Sequence, residues 1–250
     1  MPLLRLSLFA AAALWLATPS FAFDPDAMTE SERAAFREEI RAYLLENPEV
    51  IMEAVQVLEQ REAQAQARAD VDLVRQNATQ LFEDPDSWTG GNPDGDLTLV
   101  EFIDYRCGFC RRAAPEVDAL LARDGNIRII VKEFPILGEQ STLASRFAIS
   151  VRRKAGDDAY KSVHDTLIAF NGDVTEAALR RISDGLGLPT EEVVADMDSP
   201  DVTKVIEANI SLGQALRING TPTFVLGDQM LRGFLTADEM LNVADAARAR

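Results

Sequence analysis

The sequence predicts an α/β fold: a strand–helix–strand unit, a long helical insertion and a returning β-hairpin, all preceded by an α-helical N-terminal segment. Three observations carry this. First, the β-rich run Leu97–Asp104, a helical stretch from about Cys107 to Arg123 and a second β-rich run, Ile127–Lys132, follow one another. That order reads as a βαβ unit with a parallel strand pair. Second, Ser141 to Leu216 turns to helical periodicity before strand character returns at Thr223–Leu226 and Met230–Arg232. Third, residues 29–83 hold no glycine and carry apolar stripes at helical spacing.

The N-terminal 22 residues have the form of a secretory signal peptide. Arg5 is the positive n-region, Leu6 to Ala17 the apolar core, and Ser20 and Ala22 the small residues before a cleavage site. The apolar run is short of the ~20 residues a spanning helix needs. The mature chain is therefore expected to begin at about Phe23 and to be exported, to the periplasm. The helical N-terminal segment is expected over 23–89. Thr29 and Glu32 form a capping box, and Phe36, Ile40, Tyr43 and Leu44 form one stripe. Asn47-Pro48 interrupts it, and a second helix carries Ile51, Val55 and Leu58, then Ala65, Ala69 and Leu73. A long stripe ahead of the main domain suits packing against its own copy in a homo-oligomer, or against that domain.

Asp84-Pro85-Asp86 and Gly90-Gly91-Asn92-Pro93-Asp94-Gly95 read as a linker or loop. The main domain is expected over 90–250, with its helical insertion at about 139–217. Within that insertion Gly156, Asn171-Gly172, Gly187-Leu188-Pro189 and Ser199-Pro200 separate five helices, 140–155, 157–170, 174–186, 190–197 and 200–217. Gly227-Asp228 fits a hairpin turn, and Thr236 with Glu239 opens a last helix.

The formal net charge is −16, and −17 once the first 22 residues, with Arg5 as their one charge, are removed. Such a field repels phosphates, so nucleic acid and anionic membrane surfaces are not expected partners.

The chain has two cysteines, Cys107 and Cys110, three positions apart. A bridge closing so small a loop stabilises little, which favours chemistry over a structural staple. With two Cys and one His, a four-ligand zinc site within one chain is not expected, and no metal or cofactor is. The pair stands after an apolar strand and at the start of a helix, where free N–H groups and the positive dipole end favour a thiolate at Cys107. Cys107 is the candidate nucleophile, and Cys110, one turn on, the resolving thiol. Glu101 lies mid-strand, six residues before Cys107. A buried carboxylate needs a partner or a task, and beneath the pair it has one: taking the proton that Cys110 loses. The bland alternative is a Glu that reaches solvent at a sheet edge. Pro222, in Gly220-Thr221-Pro222-Thr223, is by itself an ordinary strand-entry proline. His164, the only histidine, reads as satisfied or surface-exposed. Arg106, Arg111 and Arg112 flank the cysteines as solvated charge or as cations that favour the thiolate.

Taken together, Val100-Glu101-Phe102, Cys107-Gly108-Phe109-Cys110, the helical stretch and Thr221-Pro222-Thr223 resemble the thioredoxin fold in its DsbA form, over residues 96–250. The resemblance implies an exposed nucleophilic Cys107, a buried resolving Cys110, a buried acid at Glu101 and a cis-proline at Pro222. It implies that Thr221, Pro222 and the intervening Gly108 and Phe109 meet an extended substrate by strand addition. Gly-Phe is not the Pro-His of strongly oxidising DsbA, and Thr before the proline is similar to isomerase-type relatives. The region around Glu46-Asn47-Pro48-Glu49-Val50-Ile51 resembles ScsC-like and Com1-like proteins linked to copper tolerance. In such relatives, and in DsbC-type isomerases, an N-terminal region can join catalytic domains into oligomers, raising effective concentration at a shared cleft. The expected activity is a protein-disulfide oxidoreductase, as isomerase or reductase, acting on proteins with thiols or disulfides and served by a membrane redox partner. Alternatives are a dithiol oxidase, a copper-binding protein using the same thiolates, and a holdase in which the helical arm is the working part.

Overall fold

The computed structural model describes residues 27–249. The expected signal peptide, 1–22, and the expected start at Phe23 lie outside the described residues. The chain divides into two compact units between Glu59 and Gln60.

The first unit holds α1 (Glu30–Glu46) and the opening turns of α2 (Glu49–Gln76). Thr29 caps α1: its hydroxyl oxygen accepts from the Glu32 amide at 3.3 Å, and the Glu32 carboxylate accepts from the Thr29 amide at 2.8 Å. No residue of α1 is buried, and Phe36, Ile40, Tyr43, Ile51, Val55 and Leu58 are all exposed.

The second unit holds the rest of α2, then α3 (Ala78–Phe82), β1 (Trp88–Gly91), β2 (Leu97–Ile103), α4 (Gly108–Arg123) and β3 (Ile127–Glu133). The insertion follows as α5 (Glu139–Ala155), α6 (Asp157–Ala169), α7 (Glu176–Gly185), α8 (Thr190–Asp196) and α9 (Pro200–Ala215). The chain ends in β4 (Thr223–Leu226), β5 (Gln229–Arg232) and α10 (Ala237–Arg248). The sheet order is β1-β3-β2-β4-β5, with β2 and β3 parallel and the other pairs antiparallel.

Strand periodicity sorts the core into two layers. Leu99 and Ile103 of β2, Ile127, Ile129 and Val131 of β3, and Phe224 of β4 pack with Ala113 and Val117 of α4 and with Phe147, Tyr160 and Leu167 of the insertion. Val100, Phe102, Ile130 and Val225 face the other way, onto Val74, Leu81, Leu212 and Leu216. The end of α2 and α3 thus belong to the second unit, and the boundary falls inside α2 rather than at 89/90. Two ion pairs bind the same stretch: the buried Lys132 ammonium donates to Asp84 and to the Gln80 carbonyl at 2.9 Å, and Arg232 meets Asp70.

The Asp84–Gly95 stretch, expected as a linker, contains the edge strand β1, which pairs Trp88 with Val131 and Gly91 with Arg128. Its glycines are there for close approach, not for looseness. A Cβ on Gly90 would meet the Trp88 ring at 2.1 Å, and one on Gly91, at φ +69°, would meet the Ile127 carbonyl at 2.5 Å. Folded over Gly90, the Trp88 ring stacks on Tyr160 with centroids 5.7 Å apart.

Candidate redox site

Alternation along β2 aims Leu99, Glu101 and Ile103 at the α4 face of the sheet. Glu101 is 5% exposed and pairs in register with Val131 and Phe224. After Ile103 the chain leaves the sheet at Asp104, whose buried carboxylate organises the next turn. It accepts from the amides of Arg106 at 2.8 Å, Ile136 at 2.9 Å and Leu137 at 3.0 Å, while the Asp104 carbonyl accepts from the Cys107 amide at 3.0 Å. Cys107 then becomes the N-cap of α4.

The Cys107 sulfur donates to the Thr221 carbonyl at 3.0 Å, and the Thr221–Pro222 peptide bond is cis. The Pro222 carbonyl accepts from the Gly233 amide at 2.9 Å, tying this turn to the segment after β5. Both cysteines are unbridged thiols; Cys107, expected to be exposed, is only 7% exposed because the Thr221–Pro222 turn lies against its sulfur, and Cys110 is buried to 1%. Burial pushes the Cys110 thiol well above its ordinary range, and the Cys107 and Glu101 charges push in the same direction. Glu101 is raised to about 8, first by burial and then by the like charges of Asp118 and Glu133. Its carboxyl opens on a cavity of about 30 Å³, shared with Asp118 of α4 and with Lys161, His164 and Asp165 of α6. That is room for a water molecule or two.

The structure brings Cys107, Cys110, Glu101, Thr221 and Pro222 to one place, with Gly108 and Phe109 exposed at the start of α4. A second buried carboxylate was not foreseen. Glu133, on the same face as Glu101 and 3% exposed, accepts from Tyr160 at 2.6 Å and from Tyr105 and Ser145 at 2.7 Å each. Burial raises it to about 7 even though these three hydroxyls favour its ionised form. Its signal is the one that marks Glu101, an acid in phase with Ile127, Ile129 and Val131, but it stands one residue beyond the β-rich run that ends at Lys132. His164, expected to be satisfied or surface-exposed, is the satisfied kind. It is half-buried, its Nδ1 lies 3.2 Å from the Tyr105 hydroxyl, and burial lowers it to about 4.

Residues 98–246 match the family described as DSBA-like thioredoxin domain, and residues 32–65 match the copper resistance protein ScsC N-terminal domain. Among solved structures, a thioredoxin-like oxidoreductase from Silicibacter pomeroyi is 40% identical and superposes with a TM-score of 0.64, covering 69% of this chain and 98% of that one. BcfH of Salmonella enterica Typhimurium is 29% identical with a TM-score of 0.72, covering 87% and 96%. Among curated proteins, the Na(+)/H(+) antiporter NhaA of Herminiimonas arsenicoxydans is 29% identical over 159 residues, 63% of this chain. The chain spans about a quarter of that antiporter's length, and among the described residues no helix is long and apolar enough to cross a membrane. With its thioredoxin-like sheet, inserted helices and paired cysteines, the chain belongs to the DsbA-like thiol–disulfide oxidoreductase family.

Proposed function

We propose that this oxidoreductase is an isomerase and reductase of protein disulfides in the periplasm. The carrying observation is the Cys107 sulfur, 3.0 Å from the Thr221 carbonyl at the cis-proline turn, with the Cys110 thiol buried behind it near Glu101. The Cys107 thiolate attacks one sulfur of a client disulfide. The client S–S bond breaks, a mixed disulfide forms, and the other client sulfur leaves as a thiolate that takes a proton. In isomerisation a second client thiolate attacks the mixed disulfide, and Cys107 is released unchanged. In reduction Cys110 gives its proton to Glu101 and attacks the Cys107 sulfur; the client leaves reduced and a Cys107–Cys110 disulfide remains. A membrane redox partner then returns the pair to its dithiol form. Thr221, Pro222, Gly108 and Phe109 line the strand-like substrate path.

Isomerisation is favoured over oxidation by the exposed stripes of α1 and α2, in a region matching the ScsC N-terminal domain. Ile40, Tyr43, Ile51, Val55 and Leu58, exposed on two helices, call for a partner surface, and assembly into a homo-oligomer supplies one. Refolding of a scrambled-disulfide substrate, run beside oxidation of a reduced one, tests the reading. It is done on the mature protein and on a version lacking residues 23–59, which leaves the second unit intact. Isomerase activity that depends on residues 23–59, with a matching loss of protomers, is expected. Oxidation alone, indifferent to the truncation, refutes it.

A further inference from the structure

The active-site rim carries an arginine that takes no part in the exchange steps described above. Arg112 lies on the same face of α4 as Phe109, and its guanidinium carbon is 4.5 Å from the Phe109 ring centroid and 5.4 Å from that of Phe234. Phe234 follows Gly233, whose amide donates to the Pro222 carbonyl, so the two rings link α4 to the cis-proline turn. Both rings are exposed, and so is Arg112. Among the described residues Arg112 has no hydrogen-bond or ion-pair partner; its contacts are the two rings. A guanidinium held over aromatic rings spends no N–H group on a carbonyl or carboxylate there, and its N–H fork fits a carboxylate in two parallel hydrogen bonds.

The neighbouring charges point the same way. Arg106 donates to the Gly172 carbonyl, and Arg111 to the Asn171 side chain and the Tyr105 carbonyl, so neither is neutralised by a carboxylate. Three uncompensated cations within six residues of Cys107 stand on a protein of net charge −16. The overall field repels an acidic segment, while the rim attracts one at short range. Reach is also consistent. Five positions along a helix rise about 7.5 Å, which an extended peptide covers in about two residues.

We propose that Arg112, held between Phe109 and Phe234, recognises an Asp or Glu side chain about two residues from the client cysteine that Cys107 engages. The occupant is an extended acidic protein segment, and the assignment rests on the thiol–disulfide exchange reading above. The test uses the full-length mature protein and two peptide disulfides that differ only in Glu or Gln two residues from the cysteine, at low salt. The wild-type protein is expected to exchange about five-fold faster with the Glu peptide, the upper end for an exposed ion pair. That ratio is expected to fall to about one in Arg112→Gln, to invert in Arg112→Glu, and to shrink toward one in 0.5 M salt. A wild-type ratio of one, or a ratio unchanged in Arg112→Gln, overturns the assignment. A peptide ratio of one, with glutathione disulfide exchange that depends on Arg112, also overturns it, in favour of a small anionic thiol. Absence of exchange with either peptide in every variant overturns the oxidoreductase reading itself, and this assignment with it.

Discussion

Replacing Glu101 by Gln is expected to make the dithiol protein more stable in alkali while changing little in acid. Glu101 titrates at about 8 in the folded chain against an ordinary 4.5, because burial and the charges of Asp118 and Glu133 oppose its ionisation. Each pKa unit is worth about 1.4 kcal/mol, so the difference corresponds to about 5 kcal/mol. Its sign follows from the direction. A carboxyl whose folded pKa is raised lends full stability below its unfolded value and loses it as pH rises through the folded one. Wild-type stability should therefore decline from about pH 4.5 to pH 8–9. Glu133, raised to about 7, adds a decline common to both proteins. The Gln variant keeps the shape of Glu101 and cannot ionise, so its advantage should grow across that window to on the order of 3–5 kcal/mol, a large share of a typical folding free energy. Urea denaturation with reductant present, followed by far-UV circular dichroism from pH 4.5 to 9, measures it. Parallel stability curves, or a variant less stable than wild type at pH 9, would refute the reasoning.

Cys110→Ser should trap client proteins on Cys107 as mixed disulfides visible by intact mass, whereas Cys107→Ser should trap none; equal trapping would show the roles to be misassigned. Glu133→Ala leaves the hydroxyls of Tyr105, Tyr160 and Ser145 without their shared acceptor. A loss of about 3–5 kcal/mol at neutral pH is expected in chemical denaturation, and a loss under 1 kcal/mol would deny Glu133 its place as the hub. Asp84→Asn removes the ionic partner of the buried Lys132. It should cost about 3 kcal/mol, and the added change Lys132→Met should recover most of it, because the penalty lies in an unpaired buried charge. A double variant no more stable than Asp84→Asn alone would contradict that account.

The local elements were legible in the sequence because each carries its own short-range signal. Thr29 and Thr236 announced helix starts through their capping boxes, and both boxes form. The five helices of the insertion follow the glycine and proline punctuation closely. The spacing of Cys107 and Cys110 and the odd placement of Glu101 singled out the site. Trp88–Gly91 was misleading for the opposite reason: two glycines ordinarily break structure, and only a ring folded over the strand and a carbonyl pressed against it explain them.

The sequence by itself determined the helices and the strands that flank the active-site turn, that a CxxC pair stands at a strand–helix junction, and that an acid sits six residues before Cys107, inside the preceding strand. Those facts depend on neighbours along the chain. Tertiary structure alone decided that Thr221, more than a hundred residues later, presents its carbonyl to Cys107, and that Glu133, Tyr105, Tyr160 and His164 meet behind the active-site turn. It also decided that Arg112 lies between two rings from different segments. Burial and charge proximity are sums over groups brought together by folding, so the proton affinities of Glu101 and Glu133 belong to the folded sheet and not to any stretch of sequence.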